Sequence, residues 1–121
     1  MDLALRASGG SIIQQRLFRR GESLHAPHLV DIEVAHVVRR LAAQGLVDQT
    51  RAFQALEDHA DLRMVKYPHT DLLARVWELR HNLSAYDAAY IALAEMLDAP
   101  LITRDKAFAS SKGHRVFVEL V

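Results

Sequence analysis

The 121-residue chain contains no cysteine. Disulfides and thiolate-bound metals are excluded, and a reducing compartment suits it. It also has no net charge, because fifteen Lys and Arg balance fifteen Asp and Glu. No overall field therefore draws it to nucleic acid. Its longest unbroken apolar run, residues 88–94, falls far short of the ~18–20 residues of a membrane span. The N-terminus lacks a basic region followed by an apolar core, so no secretory signal is read and a cytoplasmic location is expected. Prolines number three, and Pro27, Pro68 and Pro100 each fall where a periodic pattern starts or stops. What is present is ordinary for a globular domain: half the residues are hydrophobic, enough to bury a core within one domain over 1–121. The basic set is lopsided, with twelve Arg against three Lys. Arg suits phosphate recognition, although a GC-rich coding sequence produces the same bias.

Strand and helix patterns alternate along the chain. Residues 1–10 carry apolar Leu3, Ala4, Leu5 and Ala7, but Ser8-Gly9-Gly10 ends the stretch too soon for a defined element. Ser11 can cap a short helix over 12–18, and Arg19-Arg20-Gly21 suits its exit. Residues 23–26 read as a strand. Pro27 then suits a first helical turn, and a helix follows to Gln44 with Gly45 as its stop. Leu29, Ile32, Val37, Val38 and Leu41 form its apolar stripe. Asp48 caps a helix to Ala60, with Phe53, Leu56 and Ala60 facing inward. Met64-Val65-Lys66-Tyr67 is a strand. Thr70 caps a fourth helix, whose apolar residues are Leu73, Val76, Trp77 and Leu79. Ser84, followed three residues later by Asp87, resembles a capping box before a buried helix over 88–94. Leu101-Ile102-Thr103 is a short strand. A short helix starts at Lys106, residues 112–114 turn, and Val116-Phe117-Val118 with Leu120 is a last strand. This alternation predicts an α/β fold with a parallel sheet flanked by helices.

Many familiar sites are absent. There is no phosphate loop with Lys, no dinucleotide fingerprint, no His-Glu-x-x-His and no nucleophile elbow. His25 and His28 are separated by Pro27 and a strand-to-helix turn, so they read as two exposed histidines rather than a metal pair. Carboxylates remain. Glu33 stands in the apolar stripe of its own helix, where it must be paired, metal-bound or displaced to the edge. Asp31 faces elsewhere and reads as solvated. Asp87 alone is explained by a helix N-terminus, and Asp105 alone by an N-cap. Together at the C-terminal edge of one parallel sheet, where ligands bind, Glu33, Asp87 and Asp105 would suit a hard divalent ion such as Mg²⁺ or Mn²⁺.

The run 83–95, Leu-Ser-Ala-Tyr-Asp-Ala-Ala-Tyr-Ile-Ala-Leu-Ala-Glu, followed by Leu101-Ile102-Thr103-Arg104-Asp105, resembles the C-terminal half of a PIN-domain ribonuclease. It is similar in particular to the VapC toxins of VapBC toxin–antitoxin pairs. His25-Ala26-Pro27-His28-Leu29-Val30-Asp31-Ile32-Glu33-Val34 resembles that family's second strand and the helix bearing its acidic residue. The resemblance implies a three-layer PIN-like fold and a Mg²⁺- or Mn²⁺-dependent endoribonuclease that cuts tRNA or rRNA and inhibits translation. Asp87 and Asp105 would be metal ligands, and Glu33 would ligate directly or through water. Thr103 would support Asp105 or a bound water. Arg104 and Lys106 are the nearest candidates for phosphate contacts, and equally read as solvated turn charges. A VapB-type antitoxin and a second copy of the chain are the implied partners.

The resemblance departs at the N-terminus. The family begins with an apolar strand that ends in Asp and lies in the middle of the sheet, and residues 1–10 do not read as one. The expectation is that this strand and its Asp are missing before residue 1, which would leave neighbouring strands unpaired, the fold weak and the activity low. Asp2, the sole early carboxylate, is a substitute candidate. The alternatives are a catalytically inactive PIN-like module that binds antitoxin or RNA, and another acid-cluster phosphohydrolase acting on DNA or nucleotides.

Overall fold

The computed structural model describes the backbone of residues 2–5 and the whole of residues 23–121. The helix expected over 12–18 lies outside the described residues. Along the chain come β1 (Asp2–Leu5), β2 (Ser23–Pro27), α1 (Leu29–Ala43), α2 (Gln49–Asp61) and β3 (Met64–Tyr67). A 3₁₀ turn (Thr70–Leu72) follows, then α3 (Leu73–Glu78), α4 (Ala85–Leu97), β4 (Leu101–Thr103), α5 (Lys106–Ala109) and β5 (Val118–Leu120). The strands form one sheet in the order β3-β2-β1-β4-β5. Every pairing is parallel. The α/β class read from the alternation is the one observed.

The centre of the sheet corrects the sequence reading. Residues 2–5 were expected to form no strand, yet they take the middle position. Asp2, Leu3 and Ala4 are in register with Ser23, Leu24 and His25 on one side, and Ala4 and Leu5 with Leu101 and Ile102 on the other. The neighbouring strands are therefore paired rather than left with open edges. Strand pairing depends on where a segment falls between two partners, so even four residues with two Leu serve once β2 and β4 stand on either side of them.

The core forms on α4. Residues 88–94 are all buried, and the helix packs across β1, β2 and β4. Its Ala residues let backbones approach, while Tyr90, Ile91 and Leu93 fill the space against Leu79, Leu101, Phe108 and Leu72. Each fully buried large aliphatic side chain contributes roughly 1.5–3 kcal/mol. On the sheet's other face, Leu24 and Ile102 cluster with Met64 and Val121, so β2 and β4 are buried on both faces, as interior parallel strands require.

Helix ends follow local rules. Asp48 accepts the Arg51 N–H at 2.7 Å and Ser84 accepts the Asp87 N–H at 3.2 Å, as expected of caps. Gly45, at φ +74°, closes α1 with bonds from its own N–H to Ala42 and from Leu46 N–H to Leu41. Side-chain facing follows less closely. Ile32 is 73% exposed and Phe53 64%, and Ala60 is exposed too. The less exposed stripe of α2 keeps Leu56 and runs otherwise through Ala52, Ala55 and His59, all half-buried, the i, i+3, i+4, i+7 set on the side of α1. In the fourth helical region the 3₁₀ turn turns Leu72 inward and leaves Leu73 and Trp77 exposed, and the Arg80 guanidinium lies 4.2 Å over the Trp77 ring. The last strand is Val118–Leu120, shifted two residues from the expected start.

Polar ties hold the periphery. Asp31, expected to be solvated, receives His59 Nε2 at 2.7 Å and Lys66 Nζ at 2.8 Å. Burial opposes its ionisation, but the hydrogen bonds and charges of Lys66 and His59 outweigh that and hold its carboxyl below the usual range. Arg75 clamps Glu95 through Nε and Nη2 at 2.7 and 3.0 Å and donates to the Gly113 carbonyl at 2.8 Å, joining α3, α4 and the turn before β5. Among the described residues no helix is long and apolar enough to cross a membrane.

His114 sits in that turn. Its Nδ1 accepts the Val116 N–H at 3.1 Å, and its Nε2–H donates to Ser111 Oγ at 2.6 Å, which in turn donates to the Phe108 carbonyl. Burial pushes the imidazole pKa down, countered by Glu95 and reinforced by Arg75. The fold therefore favours neutral His114. The stability this contributes is present above the unfolded value of 6.5 and is lost as pH falls below it. Urea unfolding followed between about pH 7.5 and 5.5 is expected to show falling stability on acidification. His114→Gln should be less stable at the upper end and show a shallower pH dependence.

Candidate active site

In a sheet of order 3-2-1-4-5 the strand order reverses between β1 and β4, and the crevice beyond the C-terminal ends of those strands is where ligands bind. Three elements deliver acidic side chains to that edge. β4 ends at Thr103, and Asp105 follows two residues later. A tight connection through Asp98, Ala99 and Pro100 makes α4 antiparallel to β4, so the helix starts at the same edge with Asp87 in its first turn. β2 ends there as well, and α1 carries Glu33 about one turn below the rim.

The local geometry of each is defined. Thr103 is fully buried, and its hydroxyl accepts the Asp105 N–H at 3.0 Å. Asp105 is exposed and accepts the Ala107 N–H at 2.9 Å, the N-cap geometry expected from sequence. Asp87 is half-buried where the amide ends and dipole of α4 favour negative charge. Glu33 is half-buried and accepts a 2.5 Å hydrogen bond from the Tyr90 hydroxyl. Arg104 and Lys106 flank Asp105 and are exposed. Asp2 lies at the opposite edge: its register with Ser23 puts its backbone three strand positions, about 10 Å, before the end of β1. Residues 2–5 thus bring no carboxylate to the C-terminal end of β1.

The oxygen donors fit the chemistry of Mg²⁺ or Mn²⁺. Among the described residues no group of three His, Asp or Glu forms a ready cage for an ion. Mg²⁺ commonly keeps several waters and takes one or two carboxylates together with substrate phosphates, and a pair drawn from these three suits that mode. A groove lined by Asp98, Pro100, Arg115, Phe117 and Glu119 opens at the other edge of the sheet and takes no part.

Two contacts near the site were not expected from sequence. His25 is buried, contrary to the reading of two exposed histidines; its Nδ1 shares a 2.6 Å hydrogen bond with Tyr67 Oη and its Nε2 a 2.9 Å bond with Ser23 Oγ. Of the two, His28 is the exposed one. The start of α1 is capped from afar, with the Leu29 N–H donating to His69 Nε2 at 2.9 Å. Tyr90 was read as part of the apolar body of its helix. A signal for it existed: a buried Tyr hydroxyl needs a partner, and so does a Glu in an apolar stripe.

An α/β fold with a 3-2-1-4-5 parallel sheet defines a doubly wound class whose ligands bind at the switch point. A PIN-domain family model matches residues 3–113. The chain is 39% identical over 119 residues to Ribonuclease VapC1 of Mycobacterium tuberculosis, covering 98% of this chain and 90% of that protein. To Ribonuclease VapC9 of the same organism it is 46% identical over 92 residues, covering 76% and 72%. The crystal structure of VapBC2 from Rickettsia felis bound to a promoter DNA fragment shares the fold, with a TM-score of 0.67, 14% identity, and 99% and 98% of the two chains covered. The chain belongs to the PIN-domain family and, within it, to the VapC ribonucleases.

The buried Thr103 hydroxyl leads to a prediction. Thr103→Val keeps the side-chain volume but leaves the Asp105 N–H unpaired, and is expected to lose about 1–2 kcal/mol in urea unfolding. Thr103→Ser, which keeps the acceptor, should lose less.

Proposed function

We propose that this chain, as one PIN-like domain over 1–121, is a divalent-metal-dependent endoribonuclease and the toxin of a VapBC-type pair. The observation that supports this reading is that the elements carrying Glu33, Asp87 and Asp105 begin or end at the C-terminal edge of the sheet, in a chain whose relatives are named VapC ribonucleases. We assign Asp87 and Asp105 as direct ligands of Mg²⁺ or Mn²⁺, and Glu33 as a ligand directly or through water. When bound, the ion supplies positive charge against the phosphate and activates water. The chain's own groups do the positioning. The Ala107 N–H and the Thr103 hydroxyl hold the Asp105 segment, and the start of α4 holds Asp87 at the rim. Arg104 and Lys106 are placed to contact phosphates on either side. Substrates are tRNA or rRNA, cleavage inhibits translation in the cytoplasm, and a VapB-type antitoxin and a second copy of the chain are its partners.

A second reading is favoured by two observations: no ready three-ligand group exists among the described residues, and residues 2–5 supply no acid at the end of β1. In that reading the domain is a catalytically inactive PIN-like module that binds antitoxin or RNA. Incubation with RNA, DNA and nucleotides, with and without Mg²⁺ or Mn²⁺, separates the two. Metal-dependent cutting of RNA that stops on chelation supports the ribonuclease. No cleavage, with no metal binding by calorimetry, supports the inactive module, and cleavage of DNA or nucleotides alone would indicate a different phosphohydrolase. Asp87→Asn is expected to abolish RNA cleavage while the protein stays folded by circular dichroism. Retained activity would reduce Asp87 to a helix-end charge.

A further inference from the structure

Tyr90 is fully buried on α4, and its hydroxyl donates to Glu33 Oε1 on α1, 57 residues away in sequence. It follows Asp87 by three residues, so the two lie one turn apart on neighbouring positions of one helix face. A glutamate has three rotatable side-chain bonds and considerable freedom to lose on being ordered. The ring of Tyr90 is fixed by packing against Leu79, Ile91 and Leu101, so its hydroxyl is a donor at a defined point. Glu33 is thereby tied to the helix that carries Asp87.

We propose that Tyr90 is a positioning residue: its hydroxyl holds the Glu33 carboxylate in the orientation that lets it serve the divalent ion together with Asp87. The proposal rests on the assignment of Glu33 to the metal site. In this role Tyr90 acts through Glu33 rather than on the ion or the substrate. Partners of metal-ligating groups act by restricting orientation, and losing one commonly weakens metal binding ~10–100-fold.

The test uses the metal-free protein, Mn²⁺ alone as probe, and calorimetry. Tyr90→Phe removes the hydroxyl and keeps the ring that fills the core. Mn²⁺ affinity is expected to fall ~10-fold or more, and any loss of RNA cleavage should shrink as Mn²⁺ is raised to saturation. Glu33→Asp withdraws the carboxylate from Tyr90 by one methylene. It should weaken Mn²⁺ binding as well, and Tyr90→Phe added to it should weaken binding little further, because both act through one contact. Additive losses would overturn the proposal. So would Tyr90→Phe binding Mn²⁺ like the unchanged protein while Glu33→Gln binds it poorly, an outcome that leaves the metal site standing. If Glu33→Gln binds Mn²⁺ as well as the unchanged protein, the assignment of Glu33 falls, and this proposal with it.

Discussion

The structure depends on burying the middle of one helix completely. Residues 88–94 of α4 are all out of solvent, which requires β1, β2 and β4 beneath them and Leu72, Leu79 and Phe108 around them. Small Ala side chains permit the close seat, and Tyr90, Ile91 and Leu93 fill what remains. Because the helix cannot slide without exposing this surface, both its ends are placed. Its C-terminal end turns through Asp98, in a left-handed conformation at φ +50°, and enters β4 after Pro100. Its N-terminal end puts Asp87 at the rim where β4 delivers Asp105. The placement of Asp87 and Asp105 at one edge is thus a consequence of core packing.

Polar contacts then set the outer elements against this centre. Arg75 joins α3 to Glu95 on α4 with a two-point clamp, the kind of charge-assisted pair in which geometry adds to attraction. Lys66 and His59 meet on Asp31 and bind α1 to α2 and β3. His69 reaches back to cap α1. These ties bear on the proposed site because α1 carries Glu33, and its placement relative to Asp87 depends on where α1 sits.

Much of the fold is legible in order of residues. The caps at Asp48, Ser84 and Asp105, the stop at Gly45, and the strands at 64–67 and 101–103 follow from rules that span four residues or fewer. Glu33, Asp87 and Asp105 could be picked out for the same kind of reason, each anomalous or well placed within its own element. The errors also share a cause. Ile32 and Phe53 were assigned to inner faces by period alone, but which side of a helix is inner depends on what packs against it. Asp31 and His25 were read as solvated because their partners, Lys66 and Tyr67, lie more than thirty residues on.

By itself the sequence determined most of the elements after residue 22, several of their ends and the acidic residues worth watching, since helix capping, chain breaking and side-chain periodicity are short-range physics. Only the tertiary structure decided that residues 2–5 form the central strand, that Asp2 falls at the wrong edge, and that Tyr90 meets Glu33. Those outcomes rest on strand order and on contacts across 40 to 57 residues, where the energy of a pairing depends on every other element already being in place.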